Sequence, residues 1–263
     1  MTRIPEQFIL DAESQVRQTL RLQIRIGALS PDALSTGLEP ESTLPVAAVC
    51  LADAGRMMQE ARHGILQAKI LLKHYRVSNN EPSAVWHCQY YVADVALRLY
   101  AGGEHIAECI VGLKSIEESA LKPFKGGVQS RQAVVGQFMT TVLPADAVTA
   151  VIRSLKDSSH WRSVIAYRNK WVHTQAPSVE GLGIVWERKS RWTALPDGRG
   201  HVMHFGGGDQ PVTTVDDLLH QAEAAFDAYV SAVDNLLEAF IEAIKPHGLT
   251  IDDDGSLSLI PPG

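Results

Sequence analysis

The stretch from Ser158 to Gln175 contains the residues of this chain that are best suited to chemistry. It reads Ser-Ser-His-Trp-Arg-Ser-Val-Ile-Ala-Tyr-Arg-Asn-Lys-Trp-Val-His-Thr-Gln. Arg168 offers a rigid fork of donors for a phosphate, Asn169 an amide donor and acceptor, and His173 a group that exchanges protons near neutral pH. The combination suits a phosphodiester, because the imidazole can manage the protons of a 2′-hydroxyl attack while the guanidinium stabilises charge on phosphorus. Such a route needs no metal ion, and we expect neither a metal nor a cofactor.

Helical periodicity places these three residues on one helix. At 100° per residue an apolar stripe forms with Arg168 at its centre, and Asn169 and His173, four residues apart, share one edge of it. The stripe consists of Trp161, Val164, Ile165, Trp171 and Val172. A guanidinium that faces a core needs a partner, so the sequence predicts either a buried acid beside Arg168, such as Asp94 or Glu104, or a polar cleft.

The ends of this helix are marked by capping and breaking residues. Asp157, Ser158 and Ser159 are candidate N-caps, and Pro177 follows the helix. His173 is then expected in the last turn, where the helix dipole favours an imidazolium and suits a general acid.

The segment from Arg168 to His173, Arg-Asn-Lys-Trp-Val-His, resembles the Arg-polar-x3-His signature of HEPN domains, which are helical bundles and in many cases metal-independent ribonucleases. The likeness is specific over this segment, and the helical patterns around it are compatible with the larger, stand-alone HEPN proteins. The resemblance implies an endoribonuclease that cleaves single-stranded RNA to a 2′,3′-cyclic phosphate and a 5′-hydroxyl. It also implies a homodimer whose active cleft forms where two signature helices meet. Arg168 would then bind phosphate, Asn169 would orient it, and His173 would transfer protons.

Other properties of this family suggest a biological role. A toxin or phage-defence effector is expected, with an antitoxin or another regulatory protein as partner. Some toxin members carry a tyrosine two residues after the histidine, where an antitoxin can modify it. Gln175 occupies that position here, so regulation by that route is not expected.

Further RNA contacts are expected near the signature and in a hairpin after it. They are Tyr167, Lys170, Arg188, Lys189 and Arg191. In the hairpin the cations alternate with Trp186 and Trp192, a composition that can stack bases and contact phosphates. The alternative is a hairpin with one buried aromatic face and one solvated basic face. Trp171 is expected to pack in the core.

The signature is weak in its loose form. An arginine followed, after four to six residues, by a histidine occurs at Arg56 and His63, Arg98 and His105, Arg153 and His160, Arg168 and His173, and Arg199 and His204. Only Arg168 is followed directly by asparagine. The net charge of −6 argues against binding nucleic acid through bulk electrostatics. A non-catalytic HEPN-like module that binds a nucleotide, a nucleic acid or a protein partner is therefore the alternative function.

Composition and patterning predict an all-α fold, an up-and-down helical bundle with one small β-hairpin before the last helix. We expect a single domain, with an N-terminal helix and loop at 1–44, bundle helices at 45–177, the hairpin at 183–205, the last helix at 214–245 and a tail at 249–263. The 263 residues contain no apolar run as long as a membrane span and no signal-peptide core at the N-terminus, so a cytoplasmic protein without a membrane partner is expected. Three widely spaced cysteines are expected to be reduced core residues.

Three local patterns make further predictions. Gly102-Gly103 predicts a kink or an end in a helix. Arg17, Arg21 and Arg25 form a basic stripe that suits a solvated face, a phosphate track or a dimer contact. Thr214 and Asp217 resemble a capping box at the start of the last helix.

Overall fold

The structure is a computed structural model that describes residues 3–27, 29, 34, 38, 39, 41–127, 130–173, 179, 180, 191–194, 201–204, 213–252 and 254–260, with 191–194 and 201–204 described by their backbone. Its helices are α1 (Glu6–Gln15), α2 (Leu20–Gly27), α3 (Leu44–Val77), α4 (Glu81–Leu113), α5 (Glu118–Leu121), α6 (Arg131–Val142), α7 (Ala147–Asp157), α8 (Ser159–His173) and α9 (Val215–Ile244). Its strands are β1 (Arg191–Ala194), β2 (His201–His204), β3 (Leu249–Ile251) and β4 (Leu257–Leu259). The predicted helical bundle with a small hairpin before the last helix is confirmed.

The two longest helices, α3 and α4, form the centre of the bundle. Residues 78–80 join them, and so short a link makes them antiparallel neighbours. Asn80 caps α4 by accepting a hydrogen bond from the backbone amide of Ser83 at 3.3 Å. Helix α9 packs on both of them, and α8 packs between α4 and α9. The signature helix is therefore held by the core of the fold.

The helix does not end at Gly102-Gly103, because α4 runs through both residues from Glu81 to Leu113, and the predicted kink there stays a prediction. Each glycine instead allows another helix to approach. A Cβ atom on Gly102 would lie 2.2 Å from Oη of Tyr229 in α9, and one on Gly103 would lie 3.0 Å from Cζ2 of Trp161 in α8. Packing compensates for the intrinsic cost of glycine in a helix, which is about 1 kcal/mol per residue.

The arginine stripe near the N-terminus is engaged within the chain. Arg17 donates to the backbone oxygen of Asp227 and to Oγ of Ser231, both at 2.8 Å, and Arg25 pairs with Glu238 at 2.5 Å. Two of the three arginines thus attach the N-terminal segment to α9. The sequence had suggested a solvated face, a phosphate track or a dimer contact, and none of these is a contact within the chain.

The hairpin before α9 pairs β1 with β2 in antiparallel register, with Arg191 opposite His204. The segment 184–186, expected to begin its first strand, lies outside the described residues. A second antiparallel pair, β3 and β4, follows α9. The division of the chain into the segments named above stays a prediction.

Two remaining expectations concern the cysteines and the membrane. Cys88 and Cys109 are buried, Cys50 is half-buried, and all three are free. Burial raises the pKa of the Cys88 thiol to about 12.

Of the helices in the described ranges, none combines the length and the apolar character of a membrane span.

Candidate active site

Helix α8 is anchored at its N-terminus by a cap and a buried indole. Oγ of Ser158 accepts a hydrogen bond from the backbone amide of Trp161 at 3.2 Å, as expected for an N-cap. The Trp161 ring is buried and stacks on Tyr229 of α9, with centroids 5.8 Å apart and planes within 9°. These contacts fix the axial position and rotation of the helix that carries the signature.

The buried face of α8 differs from the predicted stripe at its C-terminal end. Trp161, Val164 and Tyr167 are buried, whereas Trp171 and Val172 are 37% and 45% exposed. The helix packs on the bundle through positions three residues apart, and its last turn extends beyond that contact. The expectation that Trp171 packs in the core is therefore wrong, and the last turn presents apolar side chains beside the signature.

The structure brings Arg168, Asn169 and His173 together. Nη1 of Arg168 lies 3.0 Å from Oδ1 of Asn169 and 3.3 Å from Nε2 of His173. A guanidinium only donates hydrogen bonds, so Nε2 is the acceptor in this contact and the ring proton of that tautomer is on Nδ1. In this tautomer Nε2 can act as a general base once a substrate displaces the Arg168 donor from it, whereas the helix dipole was expected to favour a general acid.

Tyr100 of α4 supplies a platform for the arginine. The guanidinium carbon of Arg168 lies 3.9 Å from the centroid of the Tyr100 ring, within the range of a cation–π interaction. Burial raises the pKa of the Tyr100 hydroxyl, with Glu104 acting in the same direction and Arg168 opposing it. The sequence contains no sign of this contact, because the two residues lie on different helices far apart in the chain.

The acids considered as partners of Arg168 are used elsewhere. Asp94 pairs with Arg98, from Nε to Oδ1 at 3.2 Å. Glu104 accepts the backbone amides of Arg131 at 2.8 Å and Gln132 at 3.4 Å, and so caps α6. Within the described ranges no carboxylate pairs with Arg168, whose acceptors there are the other two signature side chains. Nε of Arg168 is buried and has no hydrogen-bond partner among the described residues.

The further RNA contacts expected from the sequence have different outcomes. Tyr167 is 7% exposed, and burial raises its pKa to about 12, with Gln89 opposing that shift. A side chain so enclosed does not stack on an RNA base, so that expectation is wrong. Lys170 is exposed beside the signature. Arg188 and Lys189 lie outside the described residues, and Arg191 is described by its backbone in β1.

A groove that the sequence did not predict opens beside Asn169. It has a volume of about 560 Å³ and lies between α4, α6, α7 and α8. Arg162, Ile165, Ala166 and Asn169 line it from α8. Their spacing places them on one face of that helix, and this is the only local signal that points to the groove.

The acidic and sulfur ligands of the described chain do not assemble into a metal site. Among the described residues no group of three or more His, Cys, Asp or Glu side chains is placed to hold a metal ion. Glu104 and Glu108, the acids that flank His105 in sequence, are engaged with α6, Glu104 as its cap and Glu108 in an ion pair with Arg131 at 2.8 Å.

Comparison of the chain with protein-family models, with curated proteins and with solved structures found no match. The likeness to HEPN domains therefore rests on the segment from Arg168 to His173 and on the helical bundle that carries it. The function has to be argued from the geometry of the site.

Proposed function

We propose that this protein is a metal-independent endoribonuclease that cleaves single-stranded RNA, with Arg168, Asn169 and His173 as its catalytic residues. The grouping of these three side chains around Nη1 of Arg168 supports the proposal most strongly. The engagement of Asp94 and Glu104 by other groups also favours it. A structural arginine in a non-catalytic module would be expected to pair with such an acid, whereas a catalytic one keeps donors for phosphate.

The reaction follows from the chemistry of the three groups. When a substrate phosphate draws the Arg168 guanidinium away from Nε2 of His173, that nitrogen takes the proton of a 2′-hydroxyl, and the oxygen attacks the adjacent phosphorus. The bond from phosphorus to the 5′ oxygen breaks, and that oxygen takes a proton from a second imidazole, which is protonated at the start of the step. The products are a 2′,3′-cyclic phosphate and a 5′-hydroxyl. Arg168 stabilises the charge on the phosphoryl oxygens, and Asn169 orients the guanidinium through its Oδ1.

An in-line displacement favours two copies of the chain. The attacking and leaving oxygens lie on opposite sides of phosphorus, so one imidazole that serves the first does not reach the second. A second copy supplies the second imidazole if two signature helices face each other. We therefore propose a homodimer, in the cytoplasm, that acts as a toxin or defence effector under the control of a regulatory protein.

Exposed apolar side chains near the signature support this dimer. Trp86 and Tyr90 of α4 are each 56% exposed, and their rings stack with centroids 6.0 Å apart. Leu97 of the same helix and Trp171 and Val172 of α8 are also exposed. Large aromatic side chains clustered on a surface are typical of protein interfaces.

Sedimentation analysis tests the dimer. Trp86→Glu places a charge in the proposed interface and is expected to give monomers that have lost cleavage. Val46→Glu is the matched control, since Val46 is 62% exposed near the other end of the α3–α4 pair. A wild-type protein that is monomeric at all concentrations and still cleaves RNA would remove the dimer from the proposal.

Cleavage of an end-labelled single-stranded RNA in excess EDTA tests the nuclease itself. Wild type is expected to cut the RNA, and His173→Ala and Arg168→Ala to lose about 100-fold or more of the rate, as expected for an acid–base or charge-stabilising group. His63→Ala, at an exposed histidine of α3, controls for contaminating nuclease. Products with 3′-hydroxyl ends, an absolute magnesium requirement or full activity of His173→Ala would each contradict the proposal.

A further inference from the structure

The groove beside Asn169 has the dimensions of a small-molecule site. Its volume of about 560 Å³ lies within the range typical of ligand pockets. Its walls come from four helices of the bundle. Such walls are rigid, so a ligand would not have to order them on binding.

The lining of the groove is apolar at its base and polar at its edges. Ile106, Ile152 and the buried edge of Trp161 contribute to the base. Gln132 and Gln137 of α6 add two amides, each with a donor and an acceptor. A flat ring with hydrogen-bonding groups on its edge matches this lining, and a nucleobase has that form.

The charges at the groove favour an anion. Lys156 and Arg162 are its charged lining residues, and among the described residues neither pairs with a carboxylate. A separate pocket of about 350 Å³ is also lined by cations, but there Lys69, Lys73 and Arg76 are all paired with carboxylates.

Helix α8 connects the groove to the signature. Arg162, Ala166 and Asn169 lie on one face, and the axial rise of an α-helix separates the first from the last by about 10 Å. Asn169 accepts the hydrogen bond of Arg168, so the inner end of the groove adjoins the phosphate site of the signature. A ligand that occupies both must carry two anionic groups beside a flat ring, as a nucleotide within a strand does, with a phosphate on each side of its ribose and the base attached to that ribose.

We propose that this groove binds the nucleotide next to the scissile phosphate of the RNA, a proposal that rests on the proposed nuclease function. The base lies against the apolar lining and is read by Gln132 and Gln137. The next phosphate along the strand is bound by Lys156 and Arg162. The groove thereby positions the strand and selects the base at the cleavage site.

The wall that carries the two amides is fixed before RNA arrives. Glu104 of α4 accepts the backbone amides of Arg131 and Gln132, which attaches the first turn of α6 to α4. The absence of a side chain at Gly103 allows Gln132 and Trp161 to approach closely, since a Cβ there would lie 2.7 Å from Oε1 of Gln132. The distance between the walls of the groove is thus set before a ligand binds.

Calorimetric titration of the full chain with each of the four 5′-nucleoside monophosphates tests the site without any cleavage. Two variants are designed to weaken binding. Ala133→Phe fills the groove from an exposed position of α6, and Arg162→Ala removes a phosphate contact. We expect each to weaken binding about tenfold, whereas Arg153→Ala, at an exposed arginine outside the groove, leaves it unchanged.

The outcomes separate this inference from the nuclease. If no monophosphate binds at millimolar concentration, or if Ala133→Phe and Arg162→Ala both bind as the wild type does, the groove proposal is overturned even when RNA is cleaved. If binding depends on the groove while wild type never cleaves RNA, the nucleotide site stands and the nuclease falls. Where both hold, Gln137→Ala is expected to change the relative cleavage rates of RNAs that differ in the base at the cleavage site.

Discussion

The guanidinium of Arg168 stacks on the ring of Tyr100, with the guanidinium carbon 3.9 Å from the ring centroid. A cation–π contact of this kind is worth about 0.5–2 kcal/mol, so Tyr100→Leu is expected to lower the cleavage rate by about 2- to 30-fold. Tyr100→Phe keeps the ring and should keep most of the activity. Single-turnover rates on a labelled RNA measure both effects.

The comparison of these two variants identifies the role of the ring. Melting temperatures of both show whether the loss comes from unfolding. Equal losses in Tyr100→Phe and Tyr100→Leu, with unchanged stability, would assign the effect to the hydroxyl and contradict a positioning role for the aromatic face.

Asn169 accepts a hydrogen bond from the guanidinium of Arg168, the proposed phosphate-binding group. Asn169→Asp places a carboxylate beside Nη1 and is expected to weaken RNA binding and to reduce its salt dependence, because about one phosphate contact is lost. Asn169→Ala removes the acceptor without adding charge, and should lower the cleavage rate with a smaller effect on binding. Fluorescence anisotropy at several salt concentrations gives the slope. An unchanged slope in Asn169→Asp would show that Arg168 does not bind phosphate.

Gly102 is required by packing. The Cβ of Gly102→Ala would lie 2.2 Å from Oη and 2.5 Å from Cζ of Tyr229, so we expect a loss of about 1–3 kcal/mol in the free energy of unfolding. Gly27→Ala is the control, since among the described residues, apart from its neighbours in the chain, no heavy atom lies within 4 Å of its Cβ position. Denaturant titrations measure both.

A double variant shows whether Tyr229 is the cause. Tyr229→Phe loses the hydrogen bond from Oη to the backbone oxygen of Ala54, which measures 2.9 Å, but it also removes the atom closest to the added methyl group. Gly102→Ala is therefore expected to cost less in the Tyr229→Phe background than in the wild type. An equal cost in both backgrounds would place the clash elsewhere.

The ion pair between Arg76 and Asp216 makes stability depend on pH. The two nitrogens Nη1 and Nη2 lie 2.7 and 2.6 Å from the two carboxylate oxygens, and these bonds lower the pKa of Asp216 below its ordinary value of 3.8. A lowered pKa in the folded state gives stability that is present above pH 3.8 and is lost as the pH falls through the folded pKa. The pair joins the end of α3 to the start of α9.

Arg76→Met tests this dependence. We expect it to reduce the free energy of unfolding by about 1 kcal/mol or less at neutral pH, since the pair is largely solvent-exposed. Below pH 3.8 the difference from wild type should shrink. Arg153→Met, at an exposed arginine without an acidic partner among the described residues, should show no such change. A difference that is constant across this range would contradict the linkage.

Local signals in the sequence were sufficient for the elements that carry the candidate site. The boundaries of α8 follow from Ser158 and from the pattern around Arg168. Thr214 is the N-cap of α9, because its Oγ1 accepts from the backbone amide of Asp217 at 3.1 Å. The carboxylate of Asp217 accepts from the Thr214 hydroxyl at 2.7 Å, in place of the return bond to a backbone amide that a capping box has. These features depend on residues within a few positions of one another, which is the range that periodicity and capping preferences describe.

Contacts between distant segments could not be predicted in this way. Tyr100 meets Arg168 only because α4 and α8 pack against each other, and the groove exists only where four helices converge. Glycine has a low helix propensity, so Gly102 was expected to disrupt the helix. Its actual role is to leave room for the ring of Tyr229. Trp171 is apolar and was expected in the core. It is exposed because the last turn of α8 extends beyond the contact of that helix with the bundle.

Four neighbouring residues of α4 serve three different parts of the molecule. Tyr100 lies under the guanidinium of Arg168, Gly102 and Gly103 allow α9 and α8 to approach, and Glu104 caps the helix that forms one wall of the groove. Few substitutions are compatible with all of these demands at once. This short segment is therefore expected to be the part of the chain least tolerant of mutation, and a saturation library selected for activity should retain close to the original sequence there.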